Sequence, residues 1–75
     1  MKDKAKKLKE KVQKTIDNSE YRGVKVHGVT CSRSDLEMIV FMLDVFLRQG
    51  NINGLMAPCG NVKDVIEKAG ISLKN

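Results

Sequence analysis

The chain has 75 residues, 41% of them hydrophobic and 31% charged, with a formal net charge of +5. That composition describes one small folded domain spanning residues 1–75, able to bury only roughly 60% of the surface its unfolded form exposes, and excludes a disordered chain. Two cysteines, Cys31 and Cys59, are too few for a disulfide-stapled secreted scaffold, and the longest apolar run, Met38 to Leu43, falls far short of the roughly 20 residues that span a membrane, so a cytoplasmic protein is expected.

The positive charge is concentrated at the start of the chain. Residues 1–17 carry seven lysines against Asp3, Glu10 and Asp17, a net +4, which leaves +1 for the remaining 58 residues. Within that segment Ala5, Leu8, Val12 and Ile16 recur at spacings of three and four, which predicts an amphipathic first helix over residues 1–18. Its apolar stripe is thin, so loose docking and a frayed start are expected, and Asp17-Asn18-Ser19 supplies turn chemistry to end it. The lysine run is not followed by the apolar stretch of a signal peptide.

Gly23 to Cys31 reads as a short half-buried strand, with Val24 and Val26 on one side and Lys25 and His27 on the other. A lone strand leaves its backbone groups unpaired and requires a partner. The segment Ile52 to Met56 or the same strand of a second copy would supply one. Ser32 or Ser34 then caps a second helix, with Asp35 and Glu37 in its first turn near the positive end of the dipole. On a helical projection Arg33, Glu37, Asp44 and Arg48 form a narrow polar strip, interrupted by Phe41 and laced by the i,i+4 pairs Arg33–Glu37 and Asp44–Arg48. The remaining arc of about 220° is apolar, more than so small a chain is expected to cover alone. Part of it is expected to meet Val12, Val26 and Val65, and the rest a second copy or another protein.

Gly50 marks the end of that helix, and Asn51 to Pro58, containing Asn53-Gly54, reads as a loop or hairpin with a possible strand at Leu55 to Ala57. Asn61 is expected to cap a last helix whose Val62, Val65, Ile66 and Ala69 share a face, with Gly70 just beyond its end and Ile71 folding back. The predicted fold is therefore mainly α, of the α+β kind: three helices with a short strand or two-stranded ribbon, in the order helix, strand, helix, strand or loop, helix.

His27, Cys31 and Cys59 match no common zinc spacing, so no metal is expected, and the cysteines read as small hydrophobes. Cys59, just before the last helix, has no histidine in its own element to act as base. No triad, phosphate-binding glycine loop or paired-carboxylate motif is present, so neither an enzyme, a cofactor nor a small-molecule substrate is expected. Asn61-Val-Lys-Asp-Val-Ile-Glu-Lys-Ala-Gly-Ile-Ser72 resembles the first helix and turn of the LacI-type helix-turn-helix. That resemblance implies DNA binding through a recognition helix after the turn, but only Leu73, Lys74 and Asn75 follow here.

Lysine neutralises phosphate without reading sequence, whereas three scattered arginines and Tyr21, Phe41 and Phe46 offer neither bidentate base readout nor a stacking platform. The expected function is a small regulatory protein, a homodimer that binds DNA through Lys4, Lys7, Lys11 and Lys14, with Met38, Met42, Val45 and Phe46 at the dimer or partner interface. The alternative is a small inhibitor or adaptor of the phage or mobile-element kind, docking on another protein through the same helix face or the edge of the 24–29 strand. Membrane attachment is not expected, because the first helix lacks aromatic anchors.

Overall fold

Three helices and a two-stranded ribbon make up the computed structural model, which describes residues 2–18, 24–50 and 60–71. In chain order they are α1 (Lys2–Asp17), β1 (Val24–Val26), β2 (Val29–Cys31), α2 (Arg33–Gln49) and α3 (Gly60–Lys68). The arrangement is mainly helical, as expected. The anticipated turn at Asn53-Gly54, the possible strand at Leu55 to Ala57, and Cys59 lie outside the described residues.

The segment read as one strand is a hairpin. β1 and β2 pair antiparallel, with Val24 opposite Cys31 and Val26 opposite Val29. His27 and Gly28 between them have φ of 51° and 82°. Two successive positive φ values are the signature of the tight turn whose twist matches that of paired strands, and histidine is among the residues that tolerate the left-handed region. The strand's hydrogen-bond partner is thus its own second half; residues 52–56 lie outside the described residues. The consequence is a two-residue ribbon turn carrying His27 in solvent, with Val26 and Cys31 each 1% exposed beneath it.

α2 is specified at both ends. Ser32 caps it in a reciprocal box: the Asp35 backbone N–H donates to Ser32 Oγ at 3.2 Å, and the Ser32 N–H donates to Asp35 Oδ2 at 3.1 Å. Gly50, at φ 83°, closes the other end, its N–H donating to the Phe46 carbonyl at 2.7 Å. A left-handed glycine is what that closure requires. α3 ends in the fuller version: Gly70, at φ 77°, donates to Glu67 and Ile71 donates to Ile66, at 3.0 and 3.2 Å. Ile71 folds back and is buried. At the front of α3, Asn61 stands inside the first turn, not at the cap, because the helix begins at Gly60. Its amide donates instead to Asp35 Oδ2 at 3.1 Å, tying the start of α3 to the start of α2.

The core is one cluster to which every element contributes. Leu36, Ile39 and Leu43 of α2 form its centre at 0% exposure, with Val12 of α1, Val26 of β1 and Val65 of α3 also at 1% or less. Burying a side chain of this kind contributes about 1.5 to 3 kcal/mol. The three valines are those expected to cover α2. α1, whose thin stripe suggested loose docking, buries Ala5 and Val12 completely and Leu8 to 3%. Its helix is held by few side chains, each fully used.

The chain covers far more of α2 than its apolar arc suggests. Met42, Val45 and Phe46, assigned above to a dimer or partner interface, are only 4%, 5% and 5% exposed within a single copy. The expectation underestimated how much of α2 is covered by the elements packed on it, α1, α3 and β2. Met38 is partly buried against the same core, as are Val40 and Leu47. What α2 leaves in the open is Phe41, 49% exposed.

Candidate functional site

The docking of α1 decides which way its lysines face. With Ala5, Leu8 and Val12 pinned inward, helical periodicity turns Lys4, Lys7, Lys11 and Lys14 outward, and all four are exposed. A cation that lies flat on a rigid helix is positioned for an external anion at little ordering cost to the backbone. Thr15, whose hydroxyl donates to the Lys11 carbonyl at 3.1 Å, and Gln13, whose amide donates to Asp17 at 3.0 Å, complete the last turns.

Lys9 behaves differently. Its Nζ lies 2.9 Å from Asp44 Oδ1 on α2, and Arg48 approaches the same carboxylate at 2.8 Å. The Lys9 hydrogen bond is the principal cause of the lowered Asp44 pKa, with the Arg48 charge adding to it. The pair clamps the polar edge of α1 onto α2. It links residues 35 apart in sequence, so no local pattern announces it. The local pairs do appear as expected: Asp44–Arg48, and Arg33–Glu37 at 3.6 Å.

Lys4 reaches a different neighbour. A β-carbon built on Gly70 would stand 3.2 Å from Lys4 Nζ, which places that ammonium beside the C-terminal end of α3. Unpaired carbonyls there favour a nearby cation. Lys4 is therefore shared between the surface and the α3 terminus, Lys7 and Lys11 project from α1, and Lys14 stands at a groove that Leu47 of α2 also lines.

On α2 the second exposed feature is Phe41, set among Arg33, Glu37, Asp44 and Arg48 on the solvent side. It is the only large hydrophobic residue so exposed among the described residues. Met38 is close to it on the helical projection and half buried; Met42, Val45 and Phe46 are inside.

Cys31 is a core residue. Burial and the neighbouring Asp35 charge push its thiol pKa up, and its Sγ–H donates to the Val29 carbonyl at 3.5 Å. A raised pKa disfavours the thiolate that nucleophilic chemistry needs. His27 stands in solvent on the ribbon turn, and Asp35 is occupied by the capping box and Asn61, which together lower its pKa.

No known protein family matches the chain, and no curated protein or solved structure matches it either. The likeness of residues 61–72 to the LacI-type helix and turn is a likeness to a helix closed by glycine and a folded-back apolar residue, the hydrogen bonding seen at Gly70 and Ile71. Among the described residues, no helix is long and apolar enough to cross a membrane.

Proposed function

We propose that this protein is a small non-enzymatic regulatory protein that binds DNA through the lysine-rich face of α1, acting in the cytoplasm. One observation carries the reading: the complete burial of Ala5 and Val12 holds α1 on the core with Lys4, Lys7, Lys11 and Lys14 displayed together on its outside. An ordered row of lysines releases counterions when it meets phosphates, which gives salt-sensitive, sequence-tolerant binding. Gel mobility of a DNA duplex at about 50 mM salt tests it, with Lys7, Lys11 and Lys14 changed together to Glu as the control. A shift that the triple variant abolishes supports the reading, and a duplex whose mobility the native protein leaves unchanged removes it.

With Met42, Val45 and Phe46 buried, Phe41 is the large apolar side chain that α2 offers to a second copy or another protein among the described residues. A half-exposed phenyl ring between two ion pairs favours a second reading, the small inhibitor or adaptor that docks by this helix face. The two readings use different surfaces: lysines of α1 in the first, Phe41 of α2 in the second. Phe41→Glu therefore leaves DNA binding by a single copy intact and abolishes capture of a protein partner.

A further inference from the structure

Lys4, Lys7, Lys11 and Lys14 follow one another at intervals of three, four and three residues. On a helix turning about 100° per residue, that rhythm places all four on a stripe about 80° wide and about 15 Å long. Asp3, Glu10 and Asp17 recur every seven residues and form a second row along the middle of the exposed surface, with Lys2, Lys6 and Lys9 beyond it. The acidic row thus divides the positive charge into two unequal flanks. The smaller flank loses Lys9 to Asp44, 2.9 Å away. The larger one borders the end of α3, where Lys4 meets Gly70.

Building on the DNA-binding reading above, we infer that α1 grips the backbone of one strand of a duplex with the four-lysine flank alone, holding phosphates and reading no bases. The stripe holds lysine and nothing else that could recognise a base edge: α1 carries no arginine, asparagine or aromatic residue, and its one glutamine, Gln13, lies across the acidic row and donates to Asp17. A single strand gains affinity by stacking its bases on aromatic rings, which this helix lacks, whereas a duplex presents its phosphates ready spaced. A 15 Å stripe matches the axial rise of about four nucleotides of one strand at ~3.4 Å each. Asp3, Glu10 and Asp17 repel phosphate from the centre of the face, so the strand is held to one side.

Salt dependence of binding reads this directly. Affinity for a short DNA duplex is measured between about 50 and 200 mM salt, for two unrelated base sequences and for one of the single strands. Four phosphate contacts give a log–log slope of about −3.6, the same for both duplexes and shallower for the single strand. Lys7→Gln, Lys11→Gln and Lys14→Gln each reduce the slope by about one, Lys4→Gln by less because of its place beside α3, and Lys2→Gln and Lys6→Gln leave it unchanged. Circular dichroism of each variant confirms that α1 is intact. Equal losses from Lys2 or Lys6, a preference for one base sequence, or tighter binding of the single strand overturns the one-sided grip while leaving DNA binding in place. Failure of the native protein to bind any of the three overturns the DNA-binding reading itself.

Discussion

Leu43 and Phe41 stand two residues apart on α2 and meet opposite environments, 0% against 49% exposed. Leu43→Ala should cost about 2 to 5 kcal/mol, because the space it leaves is ringed by packed side chains from other elements. Phe41→Ser should cost less, about 1 kcal/mol, since only about half of its side chain is buried. Denaturant midpoints of the two variants check the helix phase: a large loss at Phe41 or none at Leu43 contradicts it. Asp35 makes a second residue-scale prediction. Its pKa is lowered by the Ser32 N–H, then by the Asn61 amide, so its contribution to stability is present above the ordinary carboxylate pKa and lost as pH falls through its lower folded value. Melting temperature should decline through that acid range, and Asp35→Asn should flatten the decline. Asp44, lowered chiefly by Lys9, titrates with the same sign and accounts for part of what remains.

Each element is held by a different physical device. α2 has a capping box at its front and a left-handed glycine at its rear, and Ser32→Ala should cost about 1 kcal/mol through the lost cap. The ribbon depends on its turn. At Gly28, φ 82°, a β-carbon meets nothing within 4 Å, so Gly28→Ala isolates backbone strain from crowding and should cost about 1 to 2 kcal/mol. A shifted midpoint at unchanged denaturant slope is the expected result; an unchanged midpoint means the turn is of another kind. α1 depends on Ala5, Leu8 and Val12 in the core, on Ile16 packed at its edge, and on the Lys9–Asp44 ion pair. It has to be docked for its lysines to form a stripe, so Leu8→Ala should loosen the helix and weaken phosphate binding together, whereas Lys7→Gln should weaken binding alone.

At the scale of the whole molecule the question is how many surfaces remain for partners. Among the described residues, α1 displays a charged stripe and α2 one exposed aromatic residue. If two copies associate through α2, light scattering of the native chain should give a dimer that Phe41→Glu converts to a monomer. A dimer indifferent to that change would exclude this face, and a concentration-independent native monomer leaves Phe41 for another protein. The electrostatic and aromatic faces can be probed separately because the variants touch no shared residue.

Much of this protein was legible residue by residue. Periodicity located all three helices, Gly50 and Gly70 marked helix ends, the start of α2 was narrowed to Ser32 or Ser34, and the pairs Arg33–Glu37 and Asp44–Arg48 identified the solvent side of α2, because caps, stripes and i,i+4 pairs are local and depend only on backbone geometry. The row of lysines on α1 was visible for the same reason. Tertiary structure decided the rest. Val24 to Cys31 carries an alternation compatible with one strand, and only the left-handed His27-Gly28 pair folds it into a hairpin. Met42, Val45 and Phe46 are as apolar as an interface requires, and only the packing of neighbouring elements around α2 makes them core. Lys9 resembles the other lysines in sequence until the fold brings Asp44 beside it. Local chemistry specifies which faces exist; which of them are covered depends on contacts between residues far apart in the chain.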